Sequence, residues 1–92
     1  MSVFMQYSVT PPDAERFVAA VQAFRDRTVA LGARSQRLYR LESDPSRFSL
    51  LEEYESHDAA HRASDELGAA FNRDAGTEGA EWDTQVWAPV EL

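Results

Sequence analysis

Arg37 and Glu52 are the first two side chains in this sequence whose pairing could do chemistry. They flank a turn signal, Ser43-Asp44-Pro45-Ser46, and sit in segments that alternate in polarity. A hairpin looped at Ser43 to Ser46 makes Leu41 face Phe48, Tyr39 face Leu50, Arg37 face Glu52 and Ser35 face Tyr54, all on one side of a sheet. A guanidinium beside a carboxylate can anchor or polarise a hydroxyl or carbonyl of an aromatic ligand, because arginine stays charged in nearly any site. The same two residues can equally form a cross-strand ion pair that only fixes register. Tyr7, Tyr39 and Tyr54 carry phenols that can donate to a ligand oxygen and stack on its ring, or simply fill core space. His57 and His61 are four apart, so on a helix they share a face. One imidazole could accept a proton near neutral pH, and two are a weak start to a metal site. A solvated helix edge accounts for them as well. Trp82 and Trp87 fall on opposite faces of one strand, one packing beneath helices and the other toward a partner subunit.

The elements that must hold these groups follow from periodicity. Val3, Met5, Tyr7 and Val9 alternate with Phe4, Gln6 and Ser8 as in a strand, which Thr10-Pro11-Pro12-Asp13 ends. Asp13 to Leu31 reads as a helix whose apolar face carries Phe17, Val21, Phe24, Thr28 and Leu31, with Gly32 at its C-terminal end. The hairpin runs from Ala33 to Glu42 and from Arg47 to Glu55, and its second face carries Gln36, Leu38, Arg40, Ser49, Leu51 and Glu53. Ser56 to about Arg73 reads as a second helix with Ser56 as cap and Ala60, Ala63, Leu67, Ala70 and Phe71 on its apolar face. Glu81 to Val90 reads as the last strand. The order βαββαβ predicts an α+β, ferredoxin-like fold over residues 1–92, a four-stranded antiparallel sheet with both helices on one face. The opposite face, with Leu38 and Leu51, is expected to be buried in a homodimer.

Composition sets the outer limits. The chain has 92 residues, enough for one domain with a thin core. It has no cysteine, which excludes disulfides and thiol chemistry. It has no lysine, which excludes a Schiff base and a P-loop. A net charge of −7 argues against nucleic acid as partner. No apolar run spans a membrane and no secretion signal is evident, so the expectation is a cytoplasmic protein.

Tyr39-Arg40, Asp44-Pro45, Arg47 to Tyr54, Asp58-Ala59, Ser64 and Phe71 together resemble the antibiotic biosynthesis monooxygenase family of dimeric α+β barrel proteins. Two positions depart from that family's pattern. Tyr54 stands where the family carries the tryptophan of Glu-x-Trp, and Ala63 where it often carries a histidine. The resemblance implies oxidation of an electron-rich phenol, quinol or polyketide-type aromatic by dioxygen, with no metal, flavin or other cofactor. Relatives of the superfamily bind haem through an asparagine in the first strand, a pocket tryptophan and a late histidine of the second helix. Met5, Tyr54 and Phe71-Asn72-Arg73 stand at those places here, which argues against haem.

The candidate site on this reading joins Arg37, Glu52, Tyr54 and His61 as catalytic groups with Met5, Tyr7, Tyr39, Leu50 and Trp82 as the substrate-binding lining, and expects no metal. The alternative is a non-catalytic dimeric module that binds a small apolar ligand or acts as a scaffold. The two differ in what lies between helices and sheet. An aromatic-lined cavity above roughly 300 Å³ suits a ligand, and a filled interior suits a scaffold.

Overall fold

Local chemistry places the ends of the helices. Asp13 is extended, and its side chain accepts from the Arg16 backbone N–H at 3.1 Å, which starts a helix after the prolines. Ser56 does the same through the Ala59 N–H at 3.1 Å. Gly76 closes that second helix in the left-handed region, φ 73°, where a residue with a Cβ is strained. The computed structural model describes residues 2–92 and runs β1 (Val3–Val9), α1 (Ala14–Ala30), β2 (Ser35–Arg40), β3 (Phe48–Tyr54), α2 (His57–Ala75) and β4 (Asp83–Trp87). The strands form one antiparallel sheet in the order β2-β3-β1-β4. This is the expected ferredoxin-like arrangement, with β1 and β3 central.

The helices cover the sheet face that carries Met5, Val9, Phe48, Leu50 and Tyr54, all buried. Val9, Phe17, Phe48 and Leu50 belong to one apolar cluster, and Met5, Tyr54, Ala60 and Ala63 to another. Fully burying a side chain such as Phe17 contributes about 1.5–3 kcal/mol. Tyr7 packs against both clusters.

The hairpin register differs from the expected one by a single residue. Ser35 pairs with Glu53, Gln36 with Glu52, Leu38 with Leu50 and Arg40 with Phe48. The cause is a loop that takes up one residue more than Ser43 to Ser46. The Leu41 N–H donates to the Arg47 carbonyl at 2.9 Å and closes the loop, so Glu42 lies inside it. Within it the Asp44 side chain accepts from both the N–H and the hydroxyl of Ser46, at 3.1 and 2.6 Å. A shift of one residue reverses every side chain of β2. Gln36 and Leu38 therefore lie beneath the helices, while Arg37 and Tyr39 lie on the outer face.

The last strand is shorter than the predicted Glu81 to Val90. Its pairing with β1 runs only from Phe4 opposite Trp87 to Ser8 opposite Asp83. Trp82 precedes the strand and packs into the core, its ring edge-on to Tyr7 at 6.5 Å and tilted against Phe17 at 6.1 Å. Trp87 lies on the outer face, where its indole N–H donates to Gln6 Oε1 at 2.8 Å. No helix among the described residues is long and apolar enough to cross a membrane.

Candidate functional site

Strand alternation in β3 turns Glu52 and Tyr54 to the same side, under α2. Both are buried, Glu52 at 6% exposure and Tyr54 at 1%. The Tyr54 hydroxyl donates to Glu52 Oε1 at 2.8 Å. From the neighbouring strand, Gln36 Nε2 donates to Glu52 Oε2 at 2.7 Å. Each carboxylate oxygen therefore has one donor, the minimum for tolerating a buried charge. Burial pushes the Glu52 carboxyl above the ordinary carboxylate range, and the two donors oppose that rise. Tyr54 is driven far up, first by burial and then by the carboxylate beside it, so it remains a donor. Tyr7 is pushed up to about 12, again by burial first and Glu52 second.

These groups form part of the wall of a partly open cavity of about 240 Å³ between the sheet and the helices. Tyr7, Leu50, Gln36, Thr84 and Trp82 line it from the sheet side, Val21, Phe24 and Thr28 from α1, and Ala63, Ser64, Leu67, Gly68, Phe71 and Asn72 from α2. Its aromatic wall is consistent with a ligand site. Its volume lies below the roughly 300 Å³ of typical small-molecule pockets but exceeds the about 150 Å³ that holds a benzene ring. Glu52 is the one carboxylate in the lining, and no arginine or histidine joins it. Gln36 Oε1 and Trp82 Nε1 are buried and have no partner among the described residues.

The residues expected at the site divide accordingly. Glu52, Tyr54, Tyr7, Leu50 and Trp82 come together around the cavity. Arg37 does not join them. It pairs with Leu51 across the strands, is exposed, and projects from the face opposite Glu52. The expected Arg37–Glu52 pair is therefore replaced by Gln36–Glu52, as the register requires. Tyr39 likewise lies on the outer face and is 50% exposed. Met5 is buried in the second apolar cluster and does not line the cavity. His61 is exposed on α2, its ring 4.5 Å from that of His57, and it too lies outside the lining. No group of three or more histidine, cysteine or carboxylate residues able to hold a metal occurs among the described residues.

Sequence reasoning placed Val21, Phe24, Thr28, Ala63, Leu67 and Phe71 on apolar helix faces without assigning them to the site, and missed Gln36, Ser64, Gly68, Asn72 and Thr84 as lining residues. The small residues of α2 carried a usable signal. Ala60, Ala63, Ser64 and Gly68 at helical spacing leave room above a sheet wherever larger neighbours do not fill it.

A protein of Mycobacterium tuberculosis superposes with a TM-score of 0.78 at 23% identity, covering 100% of this chain and 98% of its own. A proposed antibiotic biosynthesis monooxygenase of Bordetella bronchiseptica gives 0.81 at 18% identity, covering 98% of each chain. One from Caulobacter crescentus gives 0.79 at 20%, covering 98% of this chain and 91% of that one. These likenesses show the fold. No curated protein matches the chain. The family model described as antibiotic biosynthesis monooxygenase matches residues 1–73, a span that holds β1 to β3, most of α2 and the Gln36–Glu52–Tyr54 chain. The chain belongs to the antibiotic biosynthesis monooxygenase family.

Proposed function

We propose that this chain is a small monooxygenase that oxidises an aromatic phenol or quinol with dioxygen, using no metal or organic cofactor, as a homodimer. The observation that carries the reading is Glu52, a buried carboxylate with two fixed donors on the wall of an aromatic-lined cavity. A ligand phenol entering that cavity meets one strong acceptor. Burial raises the basicity of Glu52, which brings its proton affinity closer to that of a phenol. Tyr54 and Gln36 hold the carboxylate in one orientation, so its position is set before the ligand arrives.

In this chemistry Glu52 takes the phenol proton and the resulting phenolate supplies the electrons. One oxygen atom of dioxygen becomes bonded to the substrate carbon. The other leaves as water, with all four electrons coming from the substrate. The aromatic wall formed by Tyr7, Phe24, Phe71 and Trp82 shields one side of the intermediate from bulk water.

Oxygen uptake measured with 1,4-naphthalenediol tests the reading, with spontaneous oxidation subtracted. Enzyme-dependent uptake that persists after metal chelation and disappears in Glu52→Gln is the expected result. Ligand binding with no enzyme-dependent uptake from any quinol or phenol would instead establish a non-catalytic binding module.

A further inference from the structure

We propose that Gly68 is the position that sets ligand size in this cavity, and that the ligand it admits is an uncharged aromatic of one or two rings. The proposal rests on the cavity being the ligand site, and it names the class of molecule that site takes.

Gly68 lies within the 19-residue helix α2, where glycine is the least favourable residue apart from proline. Neither usual reason for glycine applies to it. Its backbone is not left-handed, since the positive-φ glycines are Gly32, Gly76 and Gly79. No close neighbour forbids a side chain either. A Cβ at this position would meet only Ser64 Oγ, at 3.9 Å, an ordinary contact. A helix former would therefore fit and stabilise the fold. The remaining consequence of glycine here is space, and the space lies in the cavity that Gly68 lines.

Size and charge restrict what occupies that space. The volume of about 240 Å³ exceeds the roughly 150 Å³ sufficient for benzene by enough for a second fused ring, but not by enough to enclose a flat three-ring system, part of which would project through the open side into water. The wall offers a carboxylate and no cation. An anionic ligand would face Glu52 at low dielectric with nothing to offset it. Tyr7, with its phenol held protonated, offers a donor and adds no charge.

The test is titration of the whole protein, followed by the indole N–H resonance of Trp82 in nitrogen–proton correlation spectra. Four probes are used: 2-naphthol, 9-phenanthrol, 2-naphthoate and phenol. The expected result is a saturable shift with phenol and 2-naphthol, and binding at least tenfold weaker for 9-phenanthrol and 2-naphthoate. Gly68→Ala should raise Tm by about 4 °C while weakening 2-naphthol more than phenol. Gly68→Leu should abolish the 2-naphthol shift. Equal binding of two- and three-ring phenols, undiminished 2-naphthol binding by both Gly68 variants, or no shift with any probe overturns the proposal. Saturable, Gly68-dependent binding without oxygen uptake leaves the size assignment standing and removes the oxygenase reading alone.

Discussion

Glu52 combines two demands that oppose each other. The proposed role as a base needs it ionised, yet burial favours its neutral form. The folded protein therefore binds this proton more tightly than the unfolded chain, whose glutamate titrates near about 4.3. The stability Glu52 contributes is complete below that value and is lost as pH rises through the higher folded value. Glu52→Gln removes this loss. Its amide can accept from the Tyr54 hydroxyl and donate to Gln36 Oε1 once the Gln36 amide turns over, so both contacts survive. The variant should unfold at a higher denaturant midpoint than wild type at pH 7 and at a similar one near pH 4. Its turnover should fall by about 10²–10⁴-fold, the range for loss of a general base. Tyr54→Phe acts differently. It strips one of the two donors that favour the ionised carboxylate, at a cost of about 1.5–3 kcal/mol when Glu52 is charged. It should move the acidic limb of the pH–rate profile to higher pH and leave the alkaline plateau nearly intact. An unchanged limb would mean that Tyr54 does not tune the base.

At the scale of elements, the far end of α2 is held by a side chain from α1. Arg16 Nε donates to the Asp74 carbonyl and Nη2 to the Arg73 carbonyl, both at 2.8 Å, satisfying groups that the end of a helix leaves open. Gly76 allows this close approach, since a Cβ there would stand 3.1 Å from Arg16 Nη1 in a backbone with φ 73°. Gly76→Ala should cost about 1–3 kcal/mol in chemical denaturation. Combined with Arg16→Ala it should cost less than the sum of the two, because both disturb one contact. The helices were legible in the sequence because Phe17, Val21 and Phe24 repeat at helical spacing in the first and Ser56 stands as a cap before the second. So was the inner face of β3, where Phe48, Leu50, Glu52 and Tyr54 alternate. The register of β2 was not legible. Ser35, Arg37 and Tyr39 are hardly more apolar than Gln36, Leu38 and Arg40, so hydrophobicity does not choose the face of this edge strand. The observed face goes with a loop that takes in Glu42 and is closed by the Leu41 N–H on the Arg47 carbonyl. That one residue exchanges Arg37 for Gln36 as the partner of Glu52 and changes an ion pair into a hydrogen-bonded chain.

For the whole molecule, the sheet has two faces with different roles. The inner face forms the cavity, and the outer face is covered by no helix. Phe4 and Leu51, one on each central strand, lie on that outer face, flanked by Tyr39 and Trp87, which are 50% and 54% exposed. Leu38, first expected there, is packed inside. An aromatic patch on a sheet face is costly to leave in water, and a second copy with the same patch can cover it isologously. Leu51 is central to this patch, paired with Gln6 on one side and Arg37 on the other. Leu51→Asp would bring a charged carboxylate into this apolar contact, a desolvation penalty of several kcal/mol that the neighbouring Arg37 guanidinium offsets only in part. Light scattering at micromolar concentration should give wild type twice the 10.4 kDa chain mass and Leu51→Asp a single chain mass. A wild-type monomer under those conditions would remove the dimer. Because Leu51 projects away from Glu52, the monomeric variant should keep a native circular dichroism spectrum and still shift the Trp82 resonance with 2-naphthol. Loss of that shift together with the dimer would instead mean that the second copy holds the inner face in its binding shape.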